Sequence, residues 1–408
     1  MTTPSMAVTA GDPAAAPRSL LRALLPLCAF LFLCYSTIAI PLPLLPGQVH
    51  DVLGFDALMV AVVIGIQSLA TLATRHTVGT LTDRRGPAWA VVAGAATSSL
   101  AGLVYLASVP FAAGAPTVSL LVLILGRLVL GLGESLAMTG VLVWGIGLVG
   151  KERAGRAMAW IGISMYGAFA VNAPLGAFLG KTYGFGGAAL LAVVAPIVAL
   201  GAVFATPKLD ASRAAAVRVP FHRVIGIIWR QGLGLAFATL GFGALSAFGP
   251  LYYQAHGWPD AAFALSAFGA AYILARLFFA TLPDRFGGAR TAVVFLSIEI
   301  VGQLVLWRAS SPSWAALGAT LTGFGFSLVF PSLGVEAVRR APPESRGVVL
   351  GGYVAFFDVS IGLLVPLAGV LVRAMGFSFA FVLGAASAAL ALALTWMASA
   401  RARTGAGP

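Results

Sequence analysis

Twelve runs of roughly twenty or more apolar residues follow one another along the chain, and this succession constrains the fold more than any other feature. A hydrocarbon core of about 30 Å is crossed by about 20 residues of helix. The runs are read at 20–46, 57–79, 88–110, 117–149, 157–180, 187–206, 225–254, 260–283, 290–308, 314–338, 347–372 and 377–399. Composition agrees. The chain is 60% hydrophobic and 9% charged, against about 25% charged in a soluble domain. So little polar surface cannot cover a globule in water, which makes lipid the solvent. The 49 glycines, with abundant Ala and Leu, let membrane helices approach backbone to backbone.

The formal net charge of +12 invites a nucleic-acid reading, and its distribution excludes one. With the N-terminus inside, 19 of the 25 Lys and Arg residues fall on cytoplasmic segments. Lys181, Arg308 and Arg373 fall outside, and Arg75, Arg127 and Arg276 lie within helices. This is the positive-inside bias, so both termini are expected in the cytoplasm of an inner-membrane protein. The first 17 residues hold no Lys or Arg, which does not fit a cleavable signal. They read as a short tail before an uncleaved helix. Cys28 and Cys34 share that helix on different faces and are not expected to pair.

A short charged turn occurs twice. "RHTVGTLTDRRG" at 75–86 and "RLFFATLPDRFG" at 276–287 align at an offset of 201 residues. "GLGES" at 131–135 and "ERAG" at 152–155 echo "GFGFS" at 323–327 and "ESRG" at 344–347, both at an offset of 192. The smaller offset fits the longer outer loop "PFAAGAPTVS" of the first half. The expected fold is therefore an all-α membrane protein, with twelve transmembrane helices in two pseudo-symmetric six-helix bundles. The parts are a tail at 1–19, a bundle at 20–206, a basic linker at 207–224, a bundle at 225–399 and a tail at 400–408. Duplicated halves of this kind frame a central transport site.

These motifs resemble those of the major facilitator superfamily. "GTLTDRRG" at 79–86 looks like its signature between the second and third helices, with "ATLPDRFG" the weaker second copy. "GRLVLGLGES" at 126–135 is similar to its fourth-helix pattern. "GISMYGAFAVNAPLGAFLG" at 162–180 resembles the fifth-helix signature of its exporters, with Ala173 where Gly is usual. Within the superfamily the chain looks most like the YhhS/YfcJ-type inner-membrane transporters. The resemblance implies that Asp83 grips the start of the eleventh helix and latches the outward-open state, aided by helix-end charge. Gly79, Arg84 and Gly86 complete that turn, and Asp284 and Arg285 form its counterpart. Gly79 and Gly86 are expected to give close packing and a sharp bend. Topology anchoring by the arginines is the plainer alternative.

Three carboxylates fall inside the bilayer. Glu134 is 17 residues from Thr117 and 16 from Gly150, and Asp358 is 12 after Arg346 and 15 before Arg373. Glu299 is nine from both Arg290 and Arg308. A charge at midplane costs at least about 2.5–3.5 kcal/mol, so such acids face water, pair with a base or carry a proton. Arg127 is seven residues before Glu134, on the same helical face. The resemblance implies that Glu134 and Asp358 oppose one another across a central cavity. Glu134 is expected to be the main proton carrier, Asp358 the second, and Arg127 the group that tunes Glu134. A structural partner for a buried Arg is the alternative for either acid. Glu299 is expected to be structural, with Arg276 as a partner to consider. Arg75 and Arg276 are expected to brace the inner ends of their helices.

Tyr35, Gln67, Asn172 and Tyr353 are the expected cavity-lining groups, Asn172 and Tyr353 foremost, although each could serve a helix–helix bond instead. "GIGLVGKE" at 145–152 approaches a phosphate-binding loop, but Glu152 follows the Lys where Ser or Thr is needed. The four histidines show no metal spacing. No enzyme, metal or cofactor is therefore expected. The expectation is a monomeric secondary transporter driven by a proton gradient, exporting a small organic solute in exchange for protons. Import with protons, or a receptor or assembly factor that moves nothing, are the alternatives. Topology is checked by reporter fusions. A fluorescent protein after Pro408 should fluoresce, and alkaline phosphatase inserted at Gly257 should be active; phosphatase activity at Pro408 would contradict the assigned orientation.

Overall fold

The computed structural model describes residues 17–150, 153–204, 206, 221–340 and 346–403. All regular structure among the described residues is helical, and eleven helices are long and apolar enough to cross a membrane. One of these runs from 154 to 204 and turns at Gly184, where φ is 64° and ψ −166°. Its two limbs make the crossings twelve. The sequence runs at 157–180 and 187–206 are thus two helices joined directly at Gly184, with no intervening loop. A single glycine suffices for the turn, because it alone adopts this backbone without a Cβ penalty.

The crossings are α1 (Pro17–Ala39), α2 (Ala57–Arg85), α3 (Pro87–Ser108), α4 (Pro116–Val149), α5 (154–183) and α6 (185–204) in the first half. The second half holds α7 (Phe221–Ala255), α8 (Ala261–Phe279), α9 (Gly288–Trp307), α10 (Pro312–Arg339), α11 (346–375) and α12 (Phe379–Arg403). Within α11, residues Ser360–Leu364 form a π-helical turn. Most of the linker expected at 207–224 lies outside the described residues.

The glycine that closes the duplicated turn has one geometry in both copies, although α2 runs unbroken to Arg85 while α8 ends at Phe279 and a short helix, Leu282–Phe286, precedes the second glycine. Gly86 and Gly287 each have φ of 87°, and Pro87 and Gly288 open the helices that follow. Arg84 and Arg85 close α2, where cations complement the negative end of the helix.

Small residues set the helix spacing. A Cβ on Gly94 of α3 would stand 2.6 Å from the Ala137 amide nitrogen of α4. A Cβ on Gly302 of α9 would stand 2.8 Å from the Gly318 carbonyl of α10. Outside this tight interior, Leu121, Phe178, Phe278 and Leu367 are exposed. Such a belt is a liability in water and is matched to acyl chains.

The halves meet along two seams, α2 against α11 and α5 against α8. On the first, a Cβ at Gly65 would lie 2.7 Å from the Ile361 carbonyl, and one at Gly369 2.9 Å from the Ala61 methyl. On the second, Gly269 bears on Ala170, where an added Cβ would stand 2.8 Å from its methyl. Polar ties join the halves on the face opposite the chain termini, here termed the distal face. Lys181 meets Asp260 at 2.8 Å, Arg373 meets Asp56 at 2.9 Å, and Gln254 donates to Asp51 at 3.0 Å.

Gly94→Val forces a branched side chain into a backbone contact. Overpacking of this kind costs about 1–3 kcal/mol, and the unfolding midpoint in detergent should fall. Gly201→Ala, where no atom of another element among the described residues lies within 4 Å, should not lower it.

Candidate functional site

One face of α2 organises the polar interior. Gln67, Thr71 and Arg75 follow one another at intervals of four residues, so they lie in a row along the helix. Gly131 allows α4 to close on this row, since a Cβ there would lie 2.7 Å from the Ala70 methyl. That approach delivers Glu134. Its Oε1 accepts from the Tyr35 hydroxyl of α1 at 3.0 Å, and its Oε2 accepts from Gln67 Nε2 at 2.7 Å. The Thr71 hydroxyl lies 3.3 Å from Oε2 and 3.0 Å from the Gly131 carbonyl. A single O–H serves one of these at a time. Donors from two neighbouring helices therefore converge on one half-buried carboxyl.

One turn further along, the row crosses to the other half. Arg75 Nη2 stands 2.6 Å from Asp358 Oδ2, and Nε donates to the same oxygen at 2.7 Å. The Asp358 side chain is 3% exposed and that of Arg75 18%, so the pair is screened far less than a surface one. Glu134 lies within Coulombic reach of both. The site is thus a chain of contacts from Glu134 through α2 to α11, with one cation among two carboxylates.

Several expected roles change. Arg127 does not contact Glu134; its Nε donates to the Val63 carbonyl at 2.9 Å and its Nη2 to that of Ile64 at 2.8 Å. On α4, residues 127 and 134 share a face, but two turns separate them and α2 backbone fills the space beside Arg127. Arg75, expected to brace a helix end, is instead the cation of the site. Asn172 is buried and donates to the Ser36 hydroxyl at 2.9 Å, a bond between α5 and α1. Tyr353 is fully buried and donates to the Phe330 carbonyl at 2.9 Å. Both therefore join helices, and neither lines an open cavity. Tyr35 and Gln67 do meet at Glu134. Glu299 is fully buried, neither of its oxygens has a hydrogen-bond partner among the described residues, and Arg276 does not pair with it.

At the turn, Asp83, Arg84 and Arg85 are exposed, and the Arg85 guanidinium lies 4.8 Å from the Trp89 ring centre. Among the described residues, no atom of another element lies within 4 Å of the Cβ position of Gly79. Arg285 is exposed, and the Asp284 side chain lies outside the described residues. So do residues 341–345, which precede the helix end assigned to the latch.

The family model described as Major Facilitator Superfamily matches residues 27–266 and 259–407. The chain belongs to the major facilitator superfamily. It is 41% identical over 375 residues, 91% of each chain, to an uncharacterized MFS-type transporter of Burkholderia pseudomallei strain 1106a. It is 42% identical over 367 residues to another from Salmonella typhimurium strain LT2, covering 90% of this chain and 94% of the relative. Among solved structures, the human organic anion transporter MFSD10 is similar at a TM-score of 0.70 and 16% identity, over 93% of this chain and 100% of that one. A point mutant of the nucleoside transporter NupG matches at 0.70 and 13%, over 92% and 99%. These two likenesses concern the fold. As a major facilitator protein, the chain is a multi-pass membrane transporter of small molecules and not an enzyme.

Asp358→Asn leaves Arg75 facing a neutral amide. Removing one partner of a buried pair costs about 3–5 kcal/mol, so the unfolding midpoint should drop. Exchanging the two, Arg75→Asp with Asp358→Arg, should recover part of the loss. An unchanged midpoint in Asp358→Asn would show that the pair holds nothing together.

Proposed function

We propose that this transporter couples the movement of a small organic solute to protons by alternating access. The observation that carries the reading is the Arg75–Asp358 ion pair across a seam between the halves, on the same face of α2 that holds Glu134. Rocking the halves apart at this seam separates a cation from an anion in a medium that solvates neither well. A proton on Asp358 removes that attraction and releases Arg75 toward Glu134. Proton binding and the movement of the halves are then linked by one guanidinium. Glu134 serves as the main carrier, because its donors span α1 and α2 and can reorganise when it is neutral.

We adopt export in exchange for protons, which the exporter-like segment at 162–180 supports. The protein works as a monomer in the inner membrane, with the termini and the Asp83 turn inside. The distal face is then the outer one. Its three polar ties belong to the outward-closed state, and the Asp83 latch acts in the opposite state. Import of the solute with protons is the alternative direction.

Reconstituted liposomes separate these readings. With Glu134→Gln, solute exchange should continue while its dependence on an imposed proton gradient disappears. If gradient-driven transport persists at the normal rate, Glu134 is not the carrier. In energised vesicles, the sign of the pH change on adding solute distinguishes export from import.

A further inference from the structure

The two seams are related by the internal repeat, and their charges do not match. Arg276 lies 201 residues after Arg75, and Asp358 lies 192 residues after Tyr166, the two offsets of the duplicated motifs. The α2–α11 seam therefore carries arginine and aspartate, while the α5–α8 seam carries arginine and tyrosine. Arg276 is 4% exposed, and among the described residues no carboxylate pairs with it. Its Nη2 donates to the Tyr272 hydroxyl at 2.7 Å and to the Ser327 carbonyl at 2.9 Å. Its Nε is buried and has no partner among the described residues. Gly162 of the facing helix leaves room beside Nη1, where a Cβ would approach to 3.2 Å.

The surroundings are aromatic. Tyr166 stacks on Tyr272 across the seam with ring centres 3.8 Å apart, and Phe242, Phe268 and Phe326 lie around Tyr166 at 5.9–6.2 Å. The guanidinium carbon is 5.1 Å from the Tyr272 ring centre. Arg127 offers the contrast, since its Nε and Nη2 are both bonded to carbonyls of one neighbouring helix. A structural arginine is satisfied in that way. Arg276 keeps a buried donor open, and an unmet donor on a buried charge is costly until an anion meets it.

We propose that Arg276 anchors the carboxylate of the transported solute, and that the solute is a monocarboxylate with an aromatic or apolar body. With Nη2 committed to Tyr272 and Ser327, the open Nε–H offers a carboxylate one charge-assisted hydrogen bond. The Tyr166–Tyr272 stack parts as the seam opens, and its rings then receive the body of the solute. This assignment rests on the transport reading for its biological meaning but is tested by binding alone.

The probes are 2-naphthoate and its neutral isostere 2-naphthamide, added to the purified full-length protein in detergent. Naphthoate should raise the unfolding midpoint and the amide should not. Arg276→Gln should weaken naphthoate binding about tenfold or more, the loss of one charged hydrogen-bonded contact. Arg276→Lys should retain part of it. Absence of any naphthoate effect, equal stabilisation by the amide, or undiminished binding in Arg276→Gln overturns the assignment. Should Arg276→Gln fail to fold, the comparison of acid with amide on the unaltered chain decides. Naphthoate binding without flux in proteoliposomes supports the anion site and overturns transport of that solute.

Discussion

An ionised side chain inside a membrane has only the protein to solvate it, and the Arg75–Asp358 contact is where this constraint falls hardest. The pair joins helices from opposite halves, so it needs two backbones brought close at one height. Gly65, Gly362 and Gly369 provide that closeness along the α2–α11 seam. The π turn at Ser360–Leu364 begins two residues after Asp358 and packs on α2 at Gly65 and Leu69. One extra residue in a turn re-aims what precedes and follows it, which is why such turns gather at functional positions. Apolar packing sets the register, and the register sets the ion pair.

The same reasoning explains why Glu134 and Asp358 differ. Glu134 is held by hydroxyl and amide groups within one half, and these neutral donors can turn to suit either protonation state. Asp358 is held by a fixed charge from the other half. One acid is thus tied to the interior of a bundle, and the other to the relation between bundles. The two seams are equivalent in the repeat yet chemically distinct, with Asp358 against Tyr166, Thr71 against Tyr272 and Gln67 against Phe268 at matching positions.

Much of the architecture was legible in the residues. Helical crossings follow from run length, and the two Gly-centred turns follow from the repeated motif, because lipid leaves the backbone little choice. Glu134 and Asp358 could be singled out for the same reason: a carboxylate at midplane is too expensive to be incidental. Partner choice was less legible. The spacing of Arg127 and Glu134 put them on one face of α4, yet helix neighbours determine what each meets, and α2 carbonyls took Arg127. The interval of four linking Gln67, Thr71 and Arg75 was visible and pointed to the better cation; its target on α11 was not, since that contact spans 283 residues. Asn172 and Tyr353 have side chains suited equally to a cavity wall and to a helix–helix bond, and only packing tells these apart.

The ties on the distal face differ in kind from the pair within. The Lys181, Asp260, Arg373 and Asp56 side chains are all at least 40% exposed. Exposed pairs of this sort contribute about 0–1 kcal/mol each. They align the rim without bolting it. In the cycle proposed above, the rim therefore adds little to the difference in free energy between the two arrangements of the halves, and the buried Arg75–Asp358 pair weighs more.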